Sequence, residues 1–160
     1  MPILLARVDD RLIHGQVVHG WGRGLGASRY VIVSNALWAD PDHAELYLLA
    51  VPDDARGLVV SEEEILGAAL REELEQERTI LLFADLGTPL RLVEAGYPLP
   101  VLNLGGLHHA AGKLAALPYI FLDAEDRSRL EALAARGVHV TAQDLPGNPA
   151  HGAAALLDRL

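Results

Sequence analysis

The chain contains no cysteine, which excludes disulfides, thiol catalysis and cysteine-ligated metals. Basic residues are also in short supply, 13 Lys and Arg against 22 Asp and Glu for a formal charge of −9. A surface so poor in cations does not neutralise a nucleic-acid backbone, so no nucleic-acid partner is expected. A small anion is a different matter, because one arginine and a few backbone N–H groups suffice to define a local site. No apolar run approaches the roughly 18 residues that cross a bilayer. The opening Met1–Asp10 lacks the charged and long apolar regions of a secretory signal. These absences predict a cytoplasmic protein without direct membrane insertion, reaching the inner membrane only peripherally, through partners. Internal repeats, low-complexity linkers and the G-x-S-x-G, Walker A and G-x-G-x-x-G motifs are missing too.

What is present is apolar: 51% hydrophobic residues against 22% charged, in a length suited to one core. Strand-length apolar runs fall at Ile3–Val8, Tyr30–Ser34, Gly57–Val60, Thr79–Phe83, Val101–Leu104, Tyr119–Leu122 and Val138–Thr141. Several are nearly continuous, as parallel strands covered on both faces require. Helix-compatible stretches lie between them, at Gly15–Leu25, Pro41–Val51, Glu62–Gln76, Pro89–Ala95 and Ala124–Ala135, with a short last helix at Ala150–Leu160. Ser61 with Glu64 reads as a capping box, Asp123 as an N-cap, and Gly137 as a helix stop. The alternation predicts an α/β fold, a doubly wound, mostly parallel open sheet with helices on both faces. The turn Leu145–Pro149 is too short to divide the chain, so residues 1–160 are read as a single domain. Ligands in such sheets bind beyond the carboxyl ends of the strands. That rule gathers the loops beginning at Asp9, Ser34, Ala84 and Gly105.

The first of these loops carries the chemistry. In Val8-Asp9-Asp10-Arg11-Leu12-Ile13-His14-Gly15-Gln16-Val17, an imidazole stands between an arginine and a helix start. A neutral histidine can take a phosphoryl group on a ring nitrogen and release it again. Arg11 supplies a fixed fork of positive charge, and Gly15 lets the backbone approach closely. The N–H groups of Gly15, Gln16 and Val17 would point at the anion from the positive helix end. Asp9 or Asp10 would orient the imidazole through its other nitrogen. The same residues also fit a solvated, ion-paired turn in which His14 merely caps a helix.

The stretch Ala6–Val17 closely resembles the opening of the IIB subunits of the mannose/fructose/sorbose family of the bacterial phosphotransferase system. The likeness continues at Ser28–Asn35, Arg91–Gly96, Asn103–His108 and the helix–strand pair Asp126–Val140. The resemblance implies a carrier that accepts a phosphoryl group from a phosphohistidine on a IIA subunit. It passes the group to a sugar entering through the IIC and IID membrane subunits, which largely set sugar specificity. It implies phosphorylation of His14 at the ring nitrogen nearer the backbone. Arg11 would contact the phosphate, and Asp9 would hold the loop or the imidazole. No cofactor is implied, and the oligomeric state is left open. A regulatory module that senses phosphohistidine without phosphorylating sugar is the alternative reading.

Other residues qualify this picture. Asp85 falls in a neighbouring loop, where an inward carboxylate would repel phosphate and an outward one would cap the next helix. Gly105, Gly106 and His108, followed by His109, lie at the same sheet edge and could contact phosphate or a partner. No H-x-x-x-H pattern accompanies these histidines, so no metal is expected. Gly20, Gly22, Gly24 and Gly26 predict a first helix that is short or frays beyond Trp21. Trp38 is either core or a partner anchor, and Ala110–Pro118 departs from the more polar segment expected there.

Overall fold

The computed structural model describes residues 3–160, so the first two residues of the expected 1–160 domain lie outside it. Its strands are β1 (Ile3–Asp9), β2 (Arg29–Val33), β3 (Arg56–Val60), β4 (Thr79–Phe83), β5 (Val101–Gly106), β6 (Leu114–Leu117), β7 (Ile120–Leu122), β8 (His139–Ala142) and β9 (His151–Gly152). Seven of them form one sheet in the order β3-β2-β4-β1-β5-β8-β9, parallel except for the edge strand β9. The expected architecture is therefore the observed one.

The core follows from strand periodicity. All five residues of β4 are buried, and successive side chains enter opposite layers. Leu81 and Phe83 join one apolar cluster with Val8, Leu104, Ile65, Leu92 and Leu130. Ile80 and Leu82 join the other, with Val17, Val18, Tyr30, Ile32 and Leu37. Each such side chain, fully buried, contributes about 1.5–3 kcal/mol. The two layers are covered by α2 (Asn35–Trp38), α3 (Pro41–Leu48), α4 (Glu62–Leu66), α5 (Ala68–Leu74), α6 (Gly87–Glu94), α7 (Ala124–Ala135) and α8 (Ala153–Leu157). Capping boxes start α4 at Ser61 and α7 at Asp123, and Gly137 adopts φ +84 after α7.

The structure corrects four local expectations. Glu62–Gln76 is two helices, because Gly67 is extended between α4 and α5. Tyr119–Leu122 does not extend the main sheet: β7 pairs antiparallel with β6, so Ala110–Pro118 supplies half of a separate hairpin. The last helix begins only at Ala153, because His151–Gly152 is drawn into edge pairing with β8.

The fourth correction concerns the first helix, which does not fray. A π-helical turn, Gln16–Gly22, runs on into α1 (Arg23–Leu25) and stops at Gly26, with φ +69. Its glycines serve close packing. A methyl group at Gly22 would meet the Tyr30 hydroxyl at 1.9 Å, and one at Gly20 would meet Leu145 at 2.5 Å. π-helical turns concentrate at functional sites.

Strand order also locates the place where a ligand can enter. From β1 the chain crosses to β2, on the β4 side, whereas from β5 it crosses to β8, on the opposite side. The carboxyl ends of β1 and β5 are thus a topological switch point, where diverging loops leave a crevice.

Candidate functional site

At that switch point stands His14, on the loop between β1 and the π-helical turn. Its Nε2 lies 2.9 Å from Asp9 Oδ2. Asp9 is fully buried at the end of β1. Burial pushes its carboxyl up, but the His14 hydrogen bond, the charges of His14 and Arg7 and the Arg11 backbone N–H outweigh this and hold it below the usual range. An ionised carboxylate only accepts, so Nε2 carries a proton, and in the neutral imidazole Nδ1 keeps its lone pair. Nδ1 has no hydrogen-bond partner among the described residues and is not buried. The side chain is 18% exposed, enough for one edge of the ring to face solvent.

Asp9 is held from three sides. Its Oδ1 accepts from the Arg11 backbone N–H at 3.1 Å, and Arg11 Nε approaches at 3.5 Å. Its Oδ2 also accepts from Arg7 Nη2 at 3.2 Å. Arg7, wholly buried within β1, donates further to Asn103 Oδ1, Gln16 Oε1 and the carbonyls of Gln143 and Asp144. Its guanidinium lies 5.4 Å from the Trp21 ring centroid. Burial lowers its pKa, and the Asp9 carboxylate works against that shift. Arginine stays protonated in proteins regardless. Gly105 makes room for this group, since a Cβ there would fall 1.8 Å from Arg7 Cζ. Gly106 lies close against Asp9, with a Cβ position 3.1 Å from Oδ1.

The remaining expected residues divide. Arg11 is 43% exposed, and its Nη2 donates to Gln16 Oε1 at 3.2 Å. Gln16 therefore arranges the two arginines through its oxygen. Gly15 opens the π-helical turn, whose first backbone bond is Val18 N–H to His14 O, so the N–H groups of Gly15, Gln16 and Val17 precede it. Asp10 does not hold His14. It accepts from the backbone N–H of His108 at 2.8 Å and meets the His108 ring. Asp85 is turned to α6, accepting from the Thr88 N–H at 2.9 Å and from its hydroxyl. His109 packs edge-on to Phe121, and Trp38 is 54% exposed. Among the described residues no group of three or more His, Cys, Asp or Glu is arranged to hold a metal ion. None of their helices is long and apolar enough to cross a membrane.

Sequence reasoning missed Arg7, Asn103, Gln143, Asp144 and the role of Trp21. One signal was available: an arginine inside the apolar run Ile3–Val8 must find partners if that strand is central. A cavity of about 740 Å³ lies at the other end of the sheet, between the start of β1, Tyr97 and Val138. It is lined mainly by apolar residues together with Arg71, Glu75 and Arg136, and it shares no residue with the His14 network.

Fold and site together define a doubly wound α/β domain presenting an oriented imidazole beside an arginine at its switch point. Residues 3–159 match the family described as the sorbose subfamily IIB component of the phosphotransferase system. A sorbose-specific EIIB component of Lacticaseibacillus casei is 31% identical, over 100% of this chain and 98% of that protein. A mannose-specific EIIAB component of Escherichia coli is 32% identical over 93% of this chain, which matches only 46% of that longer protein. Among solved structures, the IIB domain of the sorbose permease from Klebsiella pneumoniae superimposes with a TM-score of 0.87 at 30% identity. That match covers 99% of this chain and 96% of that one. The chain belongs to this family: it is a IIB phosphotransfer subunit of the mannose/fructose/sorbose type of sugar phosphotransferase system.

Proposed function

We propose that His14 Nδ1 is the phosphoryl acceptor, charged by a phosphohistidine on a IIA subunit and discharged onto a sugar entering through IIC and IID. The observation that carries this reading is the Asp9 hydrogen bond to Nε2, which leaves Nδ1 of the neutral ring free to attack, while Arg11 is held on the other oxygen of the same carboxylate. In the transfer, the donor's N–P bond breaks as Nδ1 forms its own, and the electron pair returns to the donor nitrogen. Nε2 keeps its proton, so the ring becomes a cation that the Asp9 carboxylate stabilises. That charge also keeps the new N–P bond labile for onward transfer. Arg11 and the N–H groups of Gly15–Val17 supply donors for the anionic oxygens. The subunit works in the cytoplasm, at the inner membrane through its partners.

The regulatory alternative drew on an inward Asp85 and on residues 110–118. Asp85 faces Thr88, which removes the first of these motives. The test is phosphorylation by the cognate phosphorylated IIA. Wild type should gain acid-labile, base-stable phosphate, and His14→Ala should gain none while retaining its fold. Equal labelling of the two would refute the proposal.

A further inference from the structure

We propose that Asp10 and His108 form a clamp that positions the acceptor loop, a role that rests on reading His14 as the acceptor. Three hydrogen bonds join the loop after β1 to the last residue of β5 and the loop that follows it. The Asp10 N–H donates to Gly106 O at 3.0 Å, Asp10 Oδ2 accepts from the His108 N–H at 2.8 Å, and Asp10 Oδ1 meets His108 Nδ1. The partners are 98 positions apart in sequence, so only the β1–β5 pairing brings them together. Adjacent carboxylates thus divide the work. Asp9 holds the reacting imidazole from the core, and Asp10 holds the loop from the surface, where His108 is 53% exposed.

A second observation shows why the loop needs holding. Leu12, two residues after Asp10, sits at φ +57, a left-handed conformation that side chains other than glycine avoid. Such a residue persists only where its surroundings over-determine it. Burial of Leu12 and Ile13 and the turn bond from Leu12 N–H to Asp9 O anchor one side. The clamp anchors the other. The neighbouring His109 packs on Phe121, and among the described residues Asp10 is the charged group in contact with the His108 ring. Opening the clamp lets the strained turn relax and carries Arg11 and His14 away from their arrangement around Asp9. Neither Asp10 nor His108 touches the reacting nitrogen, so both are positioning residues.

The experiment uses the full chain and a small donor, phosphoramidate, so that no partner surface is involved. The readouts are the rate of His14 labelling and amide hydrogen exchange at residues 11–15. His108→Ala and Asp10→Ala should each slow labelling and speed exchange by about five-fold, the upper end of what a partly exposed polar pair contributes. The double variant should be no worse than the weaker single one. His108→Asn, whose side-chain amide can stand in for Nδ1–H, should restore both rates, which a role of ring bulk alone would not allow. Wild-type behaviour in His108→Ala, additive effects in the double variant, or failure of the Asn rescue would each overturn the clamp. If wild type takes no phosphate on His14 from phosphorylated IIA either, the acceptor reading falls, and hydrogen exchange in the same variants still decides the clamp.

Discussion

Replacing Gly105 with alanine sets two effects of opposite sign against each other. An alanine lowers the entropy of the unfolded chain, which stabilises a compatible site by about 0.4–1 kcal/mol. At residue 105 the added methyl would sit 1.8 Å from Arg7 Cζ, 2.0 Å from Nη2 and 2.2 Å from Nε. The guanidinium has nowhere to go, being fully buried and fixed by donors to Asn103, Asp9, Gln16 and two carbonyls. Ordinary overpacking costs about 1–3 kcal/mol. Expelling Arg7 from its pairing with Asp9 costs about 3–5 kcal/mol, since each ion is left uncompensated. The clash term wins, and Gly105→Ala should lose about 2–4 kcal/mol net, a fall of roughly 5–15 °C in Tm for a chain of this length. Gly152→Ala is the control, because nothing lies within 4 Å of its Cβ position and its backbone is extended. It should be neutral or slightly stabilising. Urea unfolding and calorimetry measure both variants. A Gly105→Ala protein within 0.5 kcal/mol of wild type, a threshold on the scale of ordinary surface substitutions, would refute the account of the Arg7 cradle.

Two further outcomes follow from the same network. Arg11→Ala should slow His14 labelling by about 100-fold or more, the scale of losing one preorganised donor to a developing anion. Because the side chain is 43% exposed, urea stability should change by no more than about 0.5 kcal/mol. Asp9→Asn should change the acid limb of stability. Asp9 is depressed in the folded state, so its contribution is complete above the unfolded value of about 3.9 and is lost as pH falls through the folded one. Urea stability of wild type should therefore fall more steeply below about pH 4 than that of the variant. Asp123 and Asp144, also depressed, act equally in both proteins.

Local chemistry made much of this protein legible in one dimension. Continuous apolar runs at Thr79–Phe83 and Val101–Leu104 mark strands buried on both faces, because side-chain period and burial are properties of short segments. Ser61 and Asp123 announce their helices for the same reason: a capping box closes within four residues. The sequence singled out His14, because an imidazole between an arginine and a glycine at a strand-to-helix junction is a local pattern. Tertiary structure decided which carboxylate serves it. Asp9 and Asp10 are equivalent on paper, yet the end of β1 buries one against His14 and turns the other to His108. Arg7 finds Asn103 and Gln143 across 96 and 136 positions, contacts set by strand register and chain crossover. The same holds for Gly105, whose missing side chain matters only because β1 and β5 are neighbours. Sequence determined where the proposed acceptor, His14, stands. The fold determined which of its nitrogens is held by Asp9 and which is left free, because that depends on hydrogen bonds no local pattern encodes.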